Sequence, residues 1–200
     1  MIREDVYDAI LEETPIQDVS YEEEHISQMR CAGTEFDHVT FSKCRFEFCD
    51  FSTVCFYHVK FYDCVFQDCD FSKCYFRDCI FSDCNADHGE FCESIFRHTD
   101  VIDGSYIYGN FSKAIWENGK IEGSLFQNSF MSENKLKKMK FEKVNFKNTD
   151  FFKTKLKGMD LSSCVLEGIK VSDEFSELKG IKIDVSQAVD MVLVFGIQIK

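Results

Sequence analysis

The sequence predicts an all-β solenoid, and three observations carry that prediction. Phenylalanine falls on every fifth residue from Phe36 to Phe81, namely Phe36, Phe41, Phe46, Phe51, Phe56, Phe61, Phe66, Phe71, Phe76 and Phe81. The same register runs on to Val171, which makes 28 positions, none of them charged or small-polar, in a chain that is 44% hydrophobic. Chance produces such a run with a probability on the order of 10⁻¹⁰. The third observation lies two residues before each large position, where small side chains recur: Cys44, Cys49, Cys64, Cys69, Cys74, Cys79, Cys84 and Cys164, interspersed with Val39, Val54, Ser94, Gly104, Ala114 and Thr149. A helical stripe repeats at three and four residues and a strand alternates every two. A period of five fits neither. It fits a chain of short units that bury their apolar side by stacking on one another.

Residues 1–30 are expected to form an N-terminal cap. Ile2, Val6, Ile10 and Leu11 share one side of a helix that Thr14 and Pro15 would end. A cap there covers the open end of a solenoid, whose strand edge would otherwise invite pairing. The five-residue register starts faintly at Ile16, Tyr21, Ile26 and Cys31, but Glu24 occupies a slot that is small elsewhere. Glu4, Asp5 and Asp8 fall where a secretory signal stays apolar. No run of about 18 apolar residues is present, so no membrane span is expected and a cytoplasmic location follows.

Residues 31–172 form the predicted solenoid. Cys69, Asp70, Phe71, Ser72 and Lys73 show the unit: a small inward residue, a variable outward one, a large inward one, then two polar residues that turn the chain. These units resemble the pentapeptide-repeat proteins, whose consensus is Ala, then Asp or Asn, then Leu or Phe, then two mostly polar residues. The resemblance covers about 140 residues and implies a right-handed quadrilateral parallel β-helix, four units to a coil. Seven coils at ~4.8 Å each make a stack roughly 34 Å tall. Residues twenty apart then lie in columns, such as Phe36, Phe56, Phe76, Phe96 and Trp116. The cysteines read as small buried hydrophobes, with no disulfide or metal role. Cys64, Cys69, Cys74 and Cys79 point into a coil already filled by Phe66, Phe71, Phe76 and Phe81, which leaves no room for zinc. The weakest repeat, from Asn85 to Glu90 around Ala86, is the place where a bulge is expected.

Residues 173–200 leave the register. Ile181 and Ile183 read as a final strand, and Asp184 with Gln187 has the spacing of a capping box. A helix is expected over 185–195, stopped by Gly196. Its last turn is apolar all round, which implies a partner, and Ile197 to Lys200 reads as a strand able to pair with its counterpart in a second chain. The runs Gly180, Ile181, Lys182, Ile183, then Gln187, Ala188, then Gly196, Ile197, Gln198, Ile199 resemble the terminal pattern of the Qnr-like quinolone-resistance proteins. That resemblance implies a homodimer joined end to end, with Val185, Ala188, Met191, Val192, Phe195, Ile197 and Ile199 at the interface.

The net charge of −12 is unevenly spread: −7 over residues 1–30, −9 over 31–134, +6 over 135–170 and −2 over 171–200. Asp63, Asp83 and Asp103 share one outward column. Asp50, Asp70 and Glu90 share another near a neighbouring edge, with Glu47, Asp68 and Asp87 on the same side. Charge alone reads as a solvated face that aids solubility. The Qnr-like resemblance implies more: a DNA mimic that binds a type II topoisomerase, DNA gyrase, and modulates it or protects it against quinolones or other poisons. The alternative is a general protein-interaction scaffold with an unrelated partner. Lys135, Lys137, Lys138, Lys140, Lys143, Lys147, Lys153, Lys155 and Lys157 form a basic band that a mimic should keep off its contact face. Overall acidity argues against direct nucleic-acid binding. His38, His58, Asp78 and His98 share an outward column and read as polar turn residues. With no nucleophile-and-base pair and no glycine-rich phosphate loop, no enzyme activity, cofactor or metal is expected.

Overall fold

A computed structural model describes residues 1–198 of the 200-residue chain. Each five-residue unit forms one side of a four-sided coil. The large residue points inward, and the residue two places on takes a left-handed backbone at the corner, with φ of 54° at His38, 53° at Lys43, 53° at Phe48 and 61° at Thr53. A left-handed non-glycine residue costs roughly 1–2 kcal/mol. The corner amides offset part of that cost through bonds to the next coil: His38 N donates to Tyr57 O at 3.0 Å and Lys43 N to Tyr62 O at 2.8 Å.

The strands are parallel and pair in a register of twenty residues: Phe36 faces Phe56 on the first side, and Phe41 faces Phe61 on the second. Those two sides are seven-stranded sheets, while the third begins as three strands and continues from Asn85 as isolated bridges. The fourth side is held by bridges alone, among them Asp50 with Asp70 and Phe130 with Asp150. The chain is thus a parallel β-helix with a short C-terminal helix.

Its interior is a set of ring columns. Phe51 and Phe71 stack at 4.8 Å with an interplanar angle of 2°, and Phe56 and Phe76 at 4.9 Å and 2°. Neighbouring sides meet edge to face, as for Phe61 and Phe66 at 5.5 Å and 78°. Each such pair contributes about 0.5–1.5 kcal/mol beyond simple burial. The small slot does more than save space. Cys74 Sγ donates to Phe51 O at 2.9 Å and Cys79 Sγ to Phe56 O at 3.4 Å, and Ser94 and Thr149 make the same bond to Phe71 O and Phe126 O at 2.6 Å each. All eleven thiols are free, and burial pushes Cys79 up to about 12.

The stretch from Asn85 to Glu90 holds no bulge. Asn85 N donates to Cys64 O at 2.9 Å and Ala86 N to Ser105 O at 2.8 Å, so the ladder passes through unbroken. The volume missing at Ala86 is followed one coil later by a buried Tyr106, whose ring uses space next to Gly104. A Cβ on that glycine would lie 2.7 Å from Tyr106 Cε2.

The N-terminal helix α1 (Ile2–Glu12) buries Ile2, Val6 and Ala9, whereas Ile10 and Leu11 are exposed. Only residues four and seven places beyond Ile2 reach the coil below, so the apolar stripe is narrower than the sequence suggested. The first coil starts at Ile16, which pairs with Phe36, inside the segment assigned to the cap from sequence. Glu24 is accommodated because its carboxylate accepts from Ile2 N at 3.4 Å, at a helix N-terminus where negative charge is favoured.

At the other end the strand expected at Ile181 and Ile183 is reduced to one bridge between Asp160 and Lys182. The capping box forms: Ser186 N donates to Asp184 Oδ1 at 2.9 Å and Asp184 N to Gln187 Oε1 at 2.6 Å. A 3-10 turn (Val185–Gln187) leads into α2 (Ala188–Val194), and Gly196 follows at φ 75°. Gln187 also ties the tail to the last coil, donating to Leu161 O at 2.8 Å and Cys164 O at 2.6 Å. Ile197 and Gln198 form no strand, and Ile199 lies outside the described residues.

Candidate functional site

The carboxylates singled out from sequence gather on and beside the third side. Asp63, Asp83 and Asp103 occupy the corner that leads into it, with φ of 53°, 56° and 51°. Asp50, Asp70 and Glu90 stand bridged in succession just past its far corner, where Asp68 also sits, and Glu47 and Asp87 lie on the side itself. Short aspartates tolerate the left-handed corner better than most residues. The coil geometry therefore turns a choice of corner residue into a charged edge. Among the described residues only Glu47 and Asp50 of this set are in ion pairs, Glu47 with Arg45 at 2.5 Å and His25 at 3.2 Å, and Asp50 with Arg30 at 3.8 Å. Asp87 is drawn inward, accepting from Ser105 Oγ at 2.6 Å and Ile107 N at 2.8 Å.

The lysines fall elsewhere. Lys135, Lys137, Lys138, Lys155 and Lys157 belong to the first side, Lys140 to the second, and Lys153 to the corner between fourth and first; Lys143 and Lys147 alone reach the third side or its edge. Lys147 is paired with Glu167 at 2.8 Å and Lys137 with Glu117 at 3.4 Å. The acidic edge and the basic band thus face largely opposite directions.

A second cluster lies on the corner between first and second sides. The rings of His38 and His58 stack at 4.2 Å. Asp37 Oδ1 lies 2.8 Å from His38 Nδ1 and 3.0 Å from His58 Nδ1. The hydrogen bond from His58, reinforced by His38, holds the Asp37 carboxyl below the ordinary aspartate range. Asp78 continues the ladder, 3.8 Å from His58 Nε2, 3.4 Å from His98 Nδ1 and 3.3 Å from Arg77 Nε. The column reading grouped His58, Asp78 and His98 but passed over Asp37, which stands one residue before the corner. Its signal was the His38 beside it.

The tail leaves apolar surface uncovered. Val185 is 88% exposed, and Val189, Leu193, Phe195 and Ile197 lie between 46% and 55%. Met191 is buried, Val192 is half-buried and Ala188 is exposed. Phe195 packs edge to face on Phe175 at 4.6 Å. Glu177 was invisible from sequence: it is 1% exposed and accepts from Lys153 N at 2.7 Å and Ser172 Oγ at 2.8 Å. Burial works to raise its carboxyl, and these bonds overcome it and hold the group below the ordinary glutamate range.

Stacked five-residue units with four sides to a coil define a pentapeptide solenoid. A family profile described as pentapeptide repeats matches eight copies over residues 60–97 and 131–168. The coils before and between those stretches keep the same register and left-handed corners, so the fold extends the pattern that the profile matches. Among solved structures, a trypsin-treated variant of QnrB1, a plasmid-mediated fluoroquinolone resistance protein, aligns with a TM-score of 0.50 at 19% identity, covering 93% of this chain and 99% of that one. HetL, a pentapeptide repeat protein involved in heterocyst differentiation regulation from the cyanobacterium Nostoc sp. strain PCC 7120, aligns with a TM-score of 0.42 at 9% identity, covering 90% and 91%. At 19% identity the likeness to QnrB1 is one of fold. No curated protein matches the sequence. No helix among the described residues is long and apolar enough to cross a membrane.

Proposed function

We propose that this protein acts by binding, as a DNA mimic that occupies the DNA-binding surface of a type II topoisomerase such as DNA gyrase, and that it modulates the enzyme or protects it against quinolones. The acidic third side carries the reading. The coil holding Asp63, Asp68 and Asp70 presents three carboxylates, and the next presents Asp83 and Glu90, with Asp87 turned inward. At ~4.8 Å per rung that is one charge per ~1.6–2.4 Å of axis, against ~1.7 Å in duplex DNA. Placement of most lysines on other sides removes the main objection to mimicry. The shared fold with QnrB1 and the Qnr-like tail pattern support the choice of partner. The tail joins two chains through the exposed apolar surface of α2 and its flanks, with Val185, Ala188, Val192, Phe195 and Ile197 as the proposed contacts; Met191 is buried against its own chain.

A supercoiling assay with purified gyrase tests the partner. The protein should inhibit supercoiling, or raise the quinolone dose needed to inhibit it, and Asp63→Asn with Asp83→Asn and Asp103→Asn should weaken the effect about tenfold. No inhibition and no rescue at any reachable concentration would sink the reading. Recovery of a different protein in a pull-down, without gyrase, would favour the scaffold alternative. Light scattering at low micromolar concentration should give twice the 23.3 kDa chain mass, and Phe195→Asp should return it to one chain.

A further inference from the structure

We propose that Asp37, His38 and His58 form a binding site for a divalent transition-metal ion of the zinc class. One ligand atom from each residue lies within 4.8 Å of the others. Zinc bonds imidazole nitrogen at about 2.0–2.1 Å and carboxylate oxygen at about 2.0–2.2 Å, so two ligands at a tetrahedral angle sit about 3.3 Å apart. Asp37 Oδ1 is now 2.8 Å and 3.0 Å from the two Nδ1 atoms. The distances need to open by only a few tenths of an ångström, but the rings now stack at 4.2 Å and 19°, so binding also requires them to rotate out of the stack until both Nδ1 lone pairs converge, a freedom that the half-exposed side chains have. Two imidazoles and a carboxylate with solvent on the open side match the three-ligand pattern of zinc sites that keep a water. Magnesium and calcium prefer all-oxygen shells.

The scaffold around the cluster is built. Both histidines stand at left-handed corners, with φ of 54° and 55°, and their amides are tied to the next coil at Tyr57 O and Arg77 O, 3.0 and 2.9 Å away. The solenoid therefore holds the two rings one rung apart before any ion arrives. Behind them, Asp78 Oδ2 lies 3.8 Å from His58 Nε2 and is itself steadied by Arg77 and His98. Closing that gap to hydrogen-bond distance would let the Asp78 carboxylate orient the His58 ring and raise its basicity. Among the described residues the other three histidines join no such three-ligand group: His25 meets Glu47, His88 stacks on Tyr108 and His98 meets Asp78 at 3.4 Å. An ion here would clip two successive coils together.

Zinc chloride titrated calorimetrically into the full chain tests the site, with Cys55→Ser and Cys92→Ser present because these two thiols are only half-buried. One equivalent should bind with a dissociation constant on the order of 1–10 μM. His58→Ala should weaken binding by about a hundredfold or more. Asp37→Asn, which keeps the shape of the side chain, should weaken it about tenfold or more, and Asp78→Asn roughly tenfold through the ring it orients. His25→Ala should leave it unchanged. Failure to bind one equivalent below millimolar zinc, or binding that survives both His58→Ala and Asp37→Asn, overturns the assignment.

Discussion

The coils from Phe36 to Phe111 and those from Phe126 to Val171 share one backbone and differ inside and out. In the first set the rings stack nearly parallel, at 2° for Phe71 on Phe91 and 4° for Phe91 on Phe111. In the second, Phe126 and Phe146 are 5.9 Å apart and tilted by 48°, aliphatic residues such as Leu156, Leu161 and Leu166 fill the interior, and Leu136 and Met159 are only partly buried. Named strands end at Glu142. Outside, the first set carries the carboxylate edge and the second the lysines. Packing and surface charge vary independently here because inward and outward positions never exchange along a strict period of five. The phenylalanine coils make an acidic body of closely stacked rings, and the later coils, whose ring contacts are longer and more tilted, seat the tail.

The largest test of that contrast is a pair of core truncations. Phe56→Ala should cost about 4 kcal/mol and Leu156→Ala about 3 kcal/mol, read by denaturant unfolding; the reverse order would show that the ring columns are not the more tightly packed part. Next comes the tail seat. Glu177→Ala removes the acceptor for Lys153 N and Ser172 and should cost about 2 kcal/mol. Because the folded carboxyl is held low, the stability it supplies is complete above the ordinary glutamate value of about 4.3. It is lost as pH falls through the lower folded value. Acid unfolding of the wild type against Glu177→Ala checks this, and the two should converge at low pH.

A smaller effect of opposite sign is expected at the boundary between the two regions. The Tyr106 hydroxyl is buried with no hydrogen-bond partner among the described residues, so Tyr106→Phe should stabilise by about 1 kcal/mol. A loss of stability would mean that the hydroxyl has a partner in solution. Smallest of all is Cys74→Ser. Ser94 makes the same bond to the coil below, so the exchange should stay within about 0.5 kcal/mol, while Cys74→Ala should cost more.

Much of this was legible in the residues. The five-residue register located every inward ring, and the capping box of Asp184 and Gln187 was visible because it depends on neighbours in the chain. The register alone is a poor guide at Ala86, where the volume missing from one coil is balanced by Tyr106 and Gly104 in the next. The N-terminal stripe was misassigned at Ile10 and Leu11 because the orientation of α1 is set by the coil it caps. Glu177 escaped because Lys153 stands 24 residues away, and Asp37 because His58 stands 21 residues away, although its neighbour His38 offers a local signal.

The sequence by itself determined the solenoid, since a period of five with one large and one small apolar residue leaves no other way to bury both. It also determined which side chains point outward. Only the tertiary structure decided how those outward residues combine, because corners bring together residues from adjacent sides and successive coils. That is why the carboxylates form one edge, the lysines turn away from it, and Asp37 meets two histidines.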